Sequence, residues 1–233
     1  MAFVQATCNS TPTGSGTKHL TQAYGSNVTS GNLLVAFVCG SIATPTISDT
    51  IGTSWGSPVT SVDDAGDGER LQCWIGVAPS SAANTVDVTF GSALGDGWIG
   101  IAELSGRSGT VTASGTVLMT PTGNPNIFSC PNGSTISIAA HDDVVFAMVE
   151  TGAFDTNQWS VASGSGFTER CETGGGSNLD GAIHTADDVA VNASYVAQSQ
   201  AANRNACVGI VLSLAQSGGG SGMTNHMRRI HPF

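Results

Sequence analysis

The sequence predicts an all-β protein, a jelly-roll-like β-sandwich formed by two sequence-related halves, with a flexible-linker C-terminal arm. Three observations lead there. The composition is rich in Gly, Ser, Thr, Ala and Val and poor in charged and aromatic residues, which favours short strands and tight turns over helices. Apolar or alternating runs recur with turn residues between them, as expected of a sandwich. The chain also echoes itself: Gly31-Asn-Leu-Leu-Val-Ala-Phe-Val38 returns as Asp142-Asp-Val-Val-Phe-Ala-Met-Val149, and Gly97-Trp-Ile-Gly-Ile-Ala-Glu-Leu-Ser-Gly106 as Ala206-Cys-Val-Gly-Ile-Val-Leu-Ser-Leu-Ala215.

Between these anchors Leu71–Ala78 matches Leu179–Ala186, and Asn84–Phe90 matches Val189–Tyr195. Strands are expected at Leu33–Cys39, Thr46–Ser48, Leu71–Ala78, Thr85–Phe90 and Trp98–Leu104. In the second half they are expected at Thr135–Ile138, Val144–Glu150, Ala182–Thr185, Val189–Tyr195 and Cys207–Leu214. Val144–Val149 and Cys207–Leu212 are almost continuously apolar, so they should be central strands covered on the far side by another sheet, long loops or a neighbouring subunit. Thr85–Phe90 and Ile136–Ile138 alternate, which marks one wet face.

Each copy is small for an independent core but about half of a jelly-roll sandwich. One sandwich spanning 1–215, with halves at about 20–106 and 135–215, is therefore preferred to tandem domains. Residues 107–134, dense in Gly and Pro, are read as the crossover between the halves. Beyond it, residues 216–233 form a Gly-rich linker and an arm, Met223-Thr-Asn-His-Met-Arg-Arg-Ile-His-Pro-Phe233, of the composition of a flexible tether.

The net charge of −10 rests on only seven basic residues, five of them scattered before Arg228-Arg229, so nucleic acid is not an expected partner. Neither a membrane span nor a secretory leader is legible, and a soluble chain made in the cytosol is expected. The six cysteines lack C-x-x-C spacing and are read as buried thiols rather than a disulfide framework. The sequons at Asn9, Asn27, Asn132 and Asn192 are read as accidents of a turn-rich sequence.

Motifs with chemical potential fare poorly. Gly52-Thr-Ser-Trp-Gly56 fits the G-x-S-x-G pattern, but Ser57-Pro58 follows where a nucleophile elbow needs a helix. Asp63-Asp-Ala-Gly-Asp-Gly-Glu69 gathers four carboxylates without the spacing of a calcium loop, so a solvated hairpin tip is favoured over a weak Ca²⁺ site. The Asp142-Asp143 and Asp187-Asp188 pairs read as turn residues. The five histidines are dispersed, and neither a metal site nor a cofactor is expected. His141 and His184 show no acid–base partner. Trp98 belongs to an apolar strand and should be core. Trp55, Trp74 and Trp159 are expected under loops, whereas exposure would make them sugar platforms.

The succession Gly25–Val38, Thr46–Trp55, Ile75–Phe90 and Ile99–Gly106, followed by Ser165-Gly-Phe-Thr-Glu-Arg170 and Val208–Leu214, resembles a broad group of bacteriophage virion accessory proteins. That resemblance, covering most of residues 20–215, implies a jelly-roll-like sandwich working as a non-enzymatic capsid decoration (cement) protein or a head or tail fibre component. It implies no catalytic residue. Its expected partners are the major capsid protein or other virion subunits, a homo-oligomer of itself, and, in the alternative reading of a carbohydrate-binding fibre or tail module, a glycan. Contacts are expected at the chain ends, through Phe3 and Val4 and through Met223, Met227, Arg228, Arg229, Ile230 and Phe233. The apolar members would fill pockets and the arginines would pair with carboxylates.

Overall fold

The computed structural model of the chain describes residues 3–11, 16, 18–119, 128–151, 159–161, 166–173, 179–200 and 206–217. Every regular element among them is a strand. The first half carries β1 (Phe3–Thr11), β2 (His19–Ala23), β3 (Leu33–Ser41), β4 (Thr46–Asp49), β5 (Thr60–Asp64), β6 (Glu69–Val77), β7 (Thr85–Thr89) and β8 (Gly97–Leu104). Next come β9 (Arg107–Met119), β10 (Phe128–Cys130), β11 (Ile136–Ile138), β12 (Asp142–Glu150) and β13 (Ser160–Val161). The chain closes with β14 (Thr168–Thr173), β15 (Gly181–Val189), β16 (Asn192–Tyr195), β17 (Ala197–Gln200) and β18 (Cys207–Gln216).

Among the described residues all pairings are antiparallel, and the sheets stack in four layers. A three-stranded sheet, β2-β7-β4, covers a five-stranded one, β1-β8-β3-β6-β5. Leu34, Ala36, Val38, Trp74, Ile99 and Ile101 of the larger sheet meet Leu20, Val86 and Val88 of the smaller in one core. In the second half, β14-β15-β12-β18-β9 is covered by β10-β17-β13 and by β11-β16. Phe146, Met148 and Val211 meet Phe128, Ile136, Ile138 and Ala197 there.

The two five-stranded sheets then face each other. Leu33, Val35, Phe37 and Cys39 from β3 pack with Val145, Ala147 and Val149 from β12 and with Val208, Ile210, Leu212 and Leu214 from β18. Both faces of β3, β8, β12 and β18 are thus dry, which is why their sequences run apolar without the alternation usual in antiparallel strands. The cover anticipated on their far side is another sheet. Trp98 needs particular room in this middle core: a Cβ at Gly181 of the opposing sheet would lie 2.6 Å from its indole, and one at Gly100 would lie 2.4 Å away.

All ten expected strands exist, with shifted ends. The stretch read as crossover holds two more, β9 and β10, because Gly109 and Gly115 sit within a strand instead of breaking it. Gly115 is tolerated where Pro131 and Ile136 press within 3.0–3.1 Å of a would-be Cβ, a close approach that suits glycine. The thiol expectation holds for Cys39, Cys73, Cys130 and Cys207, all buried, but fails for Cys8 and Cys171. Those two form a disulfide, because edge strands β1 and β14 stack across the middle core and bring their Cα atoms to 5.7 Å, a separation a disulfide can bridge.

Candidate functional site

Among the described residues, buried polar side chains join elements at several places, three of them built on a buried carboxylate with partners from other elements. The first lies where β9 begins. Arg107 and Asp143 are 2% and 0% exposed and form a two-pronged ion pair, with Arg107 Nε donating to Asp143 Oδ2 at 2.5 Å. The Asp188 N–H donates to Asp143 Oδ1 at 2.7 Å. Asp188 (φ 54°) and His141 (φ 68°) both adopt the left-handed region, which short polar side chains tolerate, and their side chains meet at 2.7 Å. Burial pushes the Asp143 carboxyl above its ordinary value despite Arg107 and the Asp188 N–H, as expected when desolvation outweighs pairing. Next to it, Asp142 Oδ2 accepts from Thr112 Oγ1 at 2.5 Å and from Ser213 Oγ at 2.7 Å, tying β9, β12 and β18 together.

The second place is Glu103 in β8, fully buried. Its carboxylate accepts from Gln5 Nε2 at 2.6 Å, from the Thr29 N–H at 2.8 Å and from Asn32 Nδ2 at 2.6 Å. With three donors its oxygens are satisfied, and it fastens β1 and the entry to β3 onto β8.

The third is the β5–β6 hairpin. Asp63 pairs with Arg70 at 2.5 Å, and Asp64 turns inward. Its Oδ1 accepts the Gly66 N–H at 3.0 Å, and its Oδ2 accepts Thr151 Oγ1 from the other half at 2.6 Å. Glu69 is buried, and its Oε2 lacks a hydrogen-bond partner among the described residues. Burial first, then the Asp96 carboxyl, then Asp67 and Asp64 push Glu69 up to about 10, so it is protonated at neutral pH. Among the described residues no three His, Cys, Asp or Glu side chains are arranged to hold a metal ion.

This hairpin makes a pH prediction. Glu69 binds a proton in the folded chain up to about pH 10 but in the unfolded chain only below its ordinary value of 4.5. Its contribution to stability is therefore fully present below that lower value and is lost as pH rises through the interval. Glu69→Gln keeps the shape and removes the titration. Thermal melts of the two proteins should agree near pH 5 and favour the variant increasingly toward pH 9. A constant difference across that range would contradict the burial assigned to Glu69.

The residues singled out in the sequence scatter. Phe3 is half-buried against the middle core, with the Arg170 guanidinium 3.9 Å from its ring centroid, while Val4 points outward, 42% exposed. Met223, Met227, Arg228, Arg229, Ile230 and Phe233 lie outside the described residues. The described chain ends beside the start of β9, where the Ser217 N–H donates to Gly106 O at 2.8 Å.

Trp55, Trp74 and Trp159 are buried, so none of the three offers the open ring face a sugar would stack upon. Ser54 is exposed, yet the imidazoles it would need are engaged elsewhere: His19 with Asp87 at 3.1 Å and His141 with Asp188. His184 is buried beside Phe146, where desolvation holds it neutral by lowering its pKa to about 4.

Asp142-Asp143 and Asp187-Asp188, expected in turns, lie within β12 and β15, and the ion pair that Asp143 makes links residues 36 apart, beyond any local pattern. The available signal was Arg107 itself, a lone cation set between two strand patterns. No helix of the described residues is long and apolar enough to cross a membrane. Comparison with family models, with curated proteins and with solved structures returned no match.

Proposed function

We propose that the chain is a non-enzymatic accessory structural protein of a bacteriophage virion, a capsid decoration protein that binds the outer shell and reinforces it. The observation that carries this reading is how the polar interior is used. Arg107–Asp143, Glu103, Asp64–Thr151 and Cys8–Cys171 each fasten one layer or strand to another. Such a body is suited to transmitting load between attachment points rather than to turning over a substrate. The bridge between Cys8 and Cys171 also suits a protein whose working life is spent outside the reducing cytosol.

The reading extends to duplication and to a jelly-roll topology within each half. In support, β1-β8-β3-β6-β5 and β9-β18-β12-β15-β14 place corresponding strands in the same succession, and β2-β7-β4 corresponds to β10-β17-β13. Three of the four echoed segments fall on corresponding strands, β3 with β12, β6 with β15 and β8 with β18, while the fourth joins β7 to β16, which lies in the small β11-β16 sheet and not in the place of β17. In the first half, β1-β8-β3-β6 beneath β2-β7-β4 is the order expected of two interlocked Greek keys, with β5 continuing the larger sheet.

Attachment is assigned to Val4, with Phe3 beneath it, and to the arm carrying Met223, Met227, Arg228, Arg229, Ile230 and Phe233. Repetition of weak contacts around a shell would add avidity. The test uses heads of the phage whose genome encodes the chain, stripped of this protein and then incubated with full-length chain or with a chain ending at Gln216. Full-length protein should saturate a fixed number of sites per particle, and the truncated chain should fold but fail to be retained. Equal occupancy by both would remove the arm from the account. Retention of neither would remove shell binding.

A further inference from the structure

We infer that β9 is a self-association edge, on which a second copy of this chain adds its own β9 in antiparallel register across a two-fold axis. An unpaired edge strand is a template for another chain, and soluble proteins blunt such edges with charge, proline, short length or cover. The other edges of the two large sheets are managed in these ways. β5 is short and carries Asp63 and Asp64. β14 carries Glu169, Arg170 and Glu172 and is cross-linked to β1 through Cys171. β1 is overlaid by β2, to which Thr7 Oγ1 and Asn9 Nδ2 donate at the carbonyls of Ala23 and Thr21.

β9 is bulged against β18 between residues 107 and 113, which also blunts an edge, but its stretch 113–119 runs in regular register and has none of these protections among the described residues. It is the longest strand, with 13 residues, and it hydrogen-bonds to β18 on one side only. From Ser108 to Met119 it contains neither a charged residue nor a proline. In a chain of net charge −10, this run is a place where two copies can approach without like charges meeting.

Its residues also suit a second copy better than an unrelated strand. Along 113–119, Ala113, Val117 and Met119 face the outer core, so Ser114, Thr116 and Leu118 share the other face, where Leu118 is 46% exposed. A two-fold perpendicular to the sheet keeps each face on its own side. With the axis at Thr116, the two Thr116 side chains lie opposite each other, a favourable cross-strand pairing, and each Leu118 lies against Ser114 of the copy. The opposite face is already closed, since Val117 belongs to the outer core and Gly115 is backed by Pro131 and Ile136. The two five-stranded sheets so joined become one ten-stranded sheet.

The inference is independent of what the chain attaches to, and its test needs only the full chain in solution. Light scattering should give twice the 23.4 kDa chain mass, and hydrogen exchange should show slow amides along residues 113–119. The variant Ser114→Lys with Thr116→Lys sets like charges across the axis and should be monomeric, with fast amides there and an unchanged far-ultraviolet spectrum. Ser61→Lys on β5 should leave the dimer intact. A wild-type monomer at every concentration would overturn the inference. So would a dimer that survives both lysines on β9, or one dissolved by the substitution on β5.

Discussion

Replacing Arg107 with alanine is expected to cost about 3–5 kcal/mol of folding stability, because it strands a carboxylate that cannot reach water. Asp143 would keep the Asp188 N–H but lose both prongs of its charge partner. The loss should shrink as pH falls. Asp143 already holds its proton more tightly than an ordinary carboxyl, and without the guanidinium it would do so more strongly, so acid neutralises the stranded group. Denaturant titrations at neutral pH and near pH 4 read both effects. The double variant Arg107→Met with Asp143→Leu should recover much of the loss, since a buried ion pair adds little over well-packed apolar side chains. A single-variant loss below 1 kcal/mol at neutral pH would mean that the pair is hydrated in solution and that β9 is not held at its origin as described.

Removing the disulfide by Cys8→Ala with Cys171→Ala is expected to cost about 2–5 kcal/mol, the upper figure following from chain-entropy arithmetic for a very long closed loop. The bridge spans a sequence separation of 163, so most of the 233-residue chain lies within it. It acts chiefly by restricting the unfolded ensemble, and the native middle core should survive its loss. The expected result is a lower denaturant midpoint with little change in native spectra. Thiol titration of the wild-type chain should find four free thiols after unfolding, corresponding to Cys39, Cys73, Cys130 and Cys207. Six would contradict the bridge.

How much of this was legible follows from the range over which each force acts. The strands of the middle layers were readable because burial on both faces writes an unbroken apolar run, as in Val144–Val149 and Cys207–Leu212. Edge strands were not. β1, Phe-Val-Gln-Ala-Thr-Cys-Asn-Ser-Thr, and β14, Thr-Glu-Arg-Cys-Glu-Thr, are half-buried, carry mixed polarity and take their register from neighbours distant in sequence.

The same distance hid the polar links. Cys8 meets Cys171, Asp64 meets Thr151 and Gln5 meets Glu103, and no local pattern encodes such pairs. The cysteines were misjudged for a further reason: compartment chemistry favours thiols for a chain read as cytosolic, yet stacking of two edge strands decides whether sulfur atoms meet. Glu69 shows the limit in another way. It reads as the end of a solvated acidic tip, and only the fold turns it inward beside Asp96.

The proposed role stands most directly on where the protein is found. Purified virions of the encoding phage, imaged and analysed for their protein content, should contain the chain in fixed stoichiometry to the major capsid protein, as density on the outer face of the head across boundaries between shell subunits. Complete, infectious particles that lack the chain while the infected cell contains it in quantity would contradict the account.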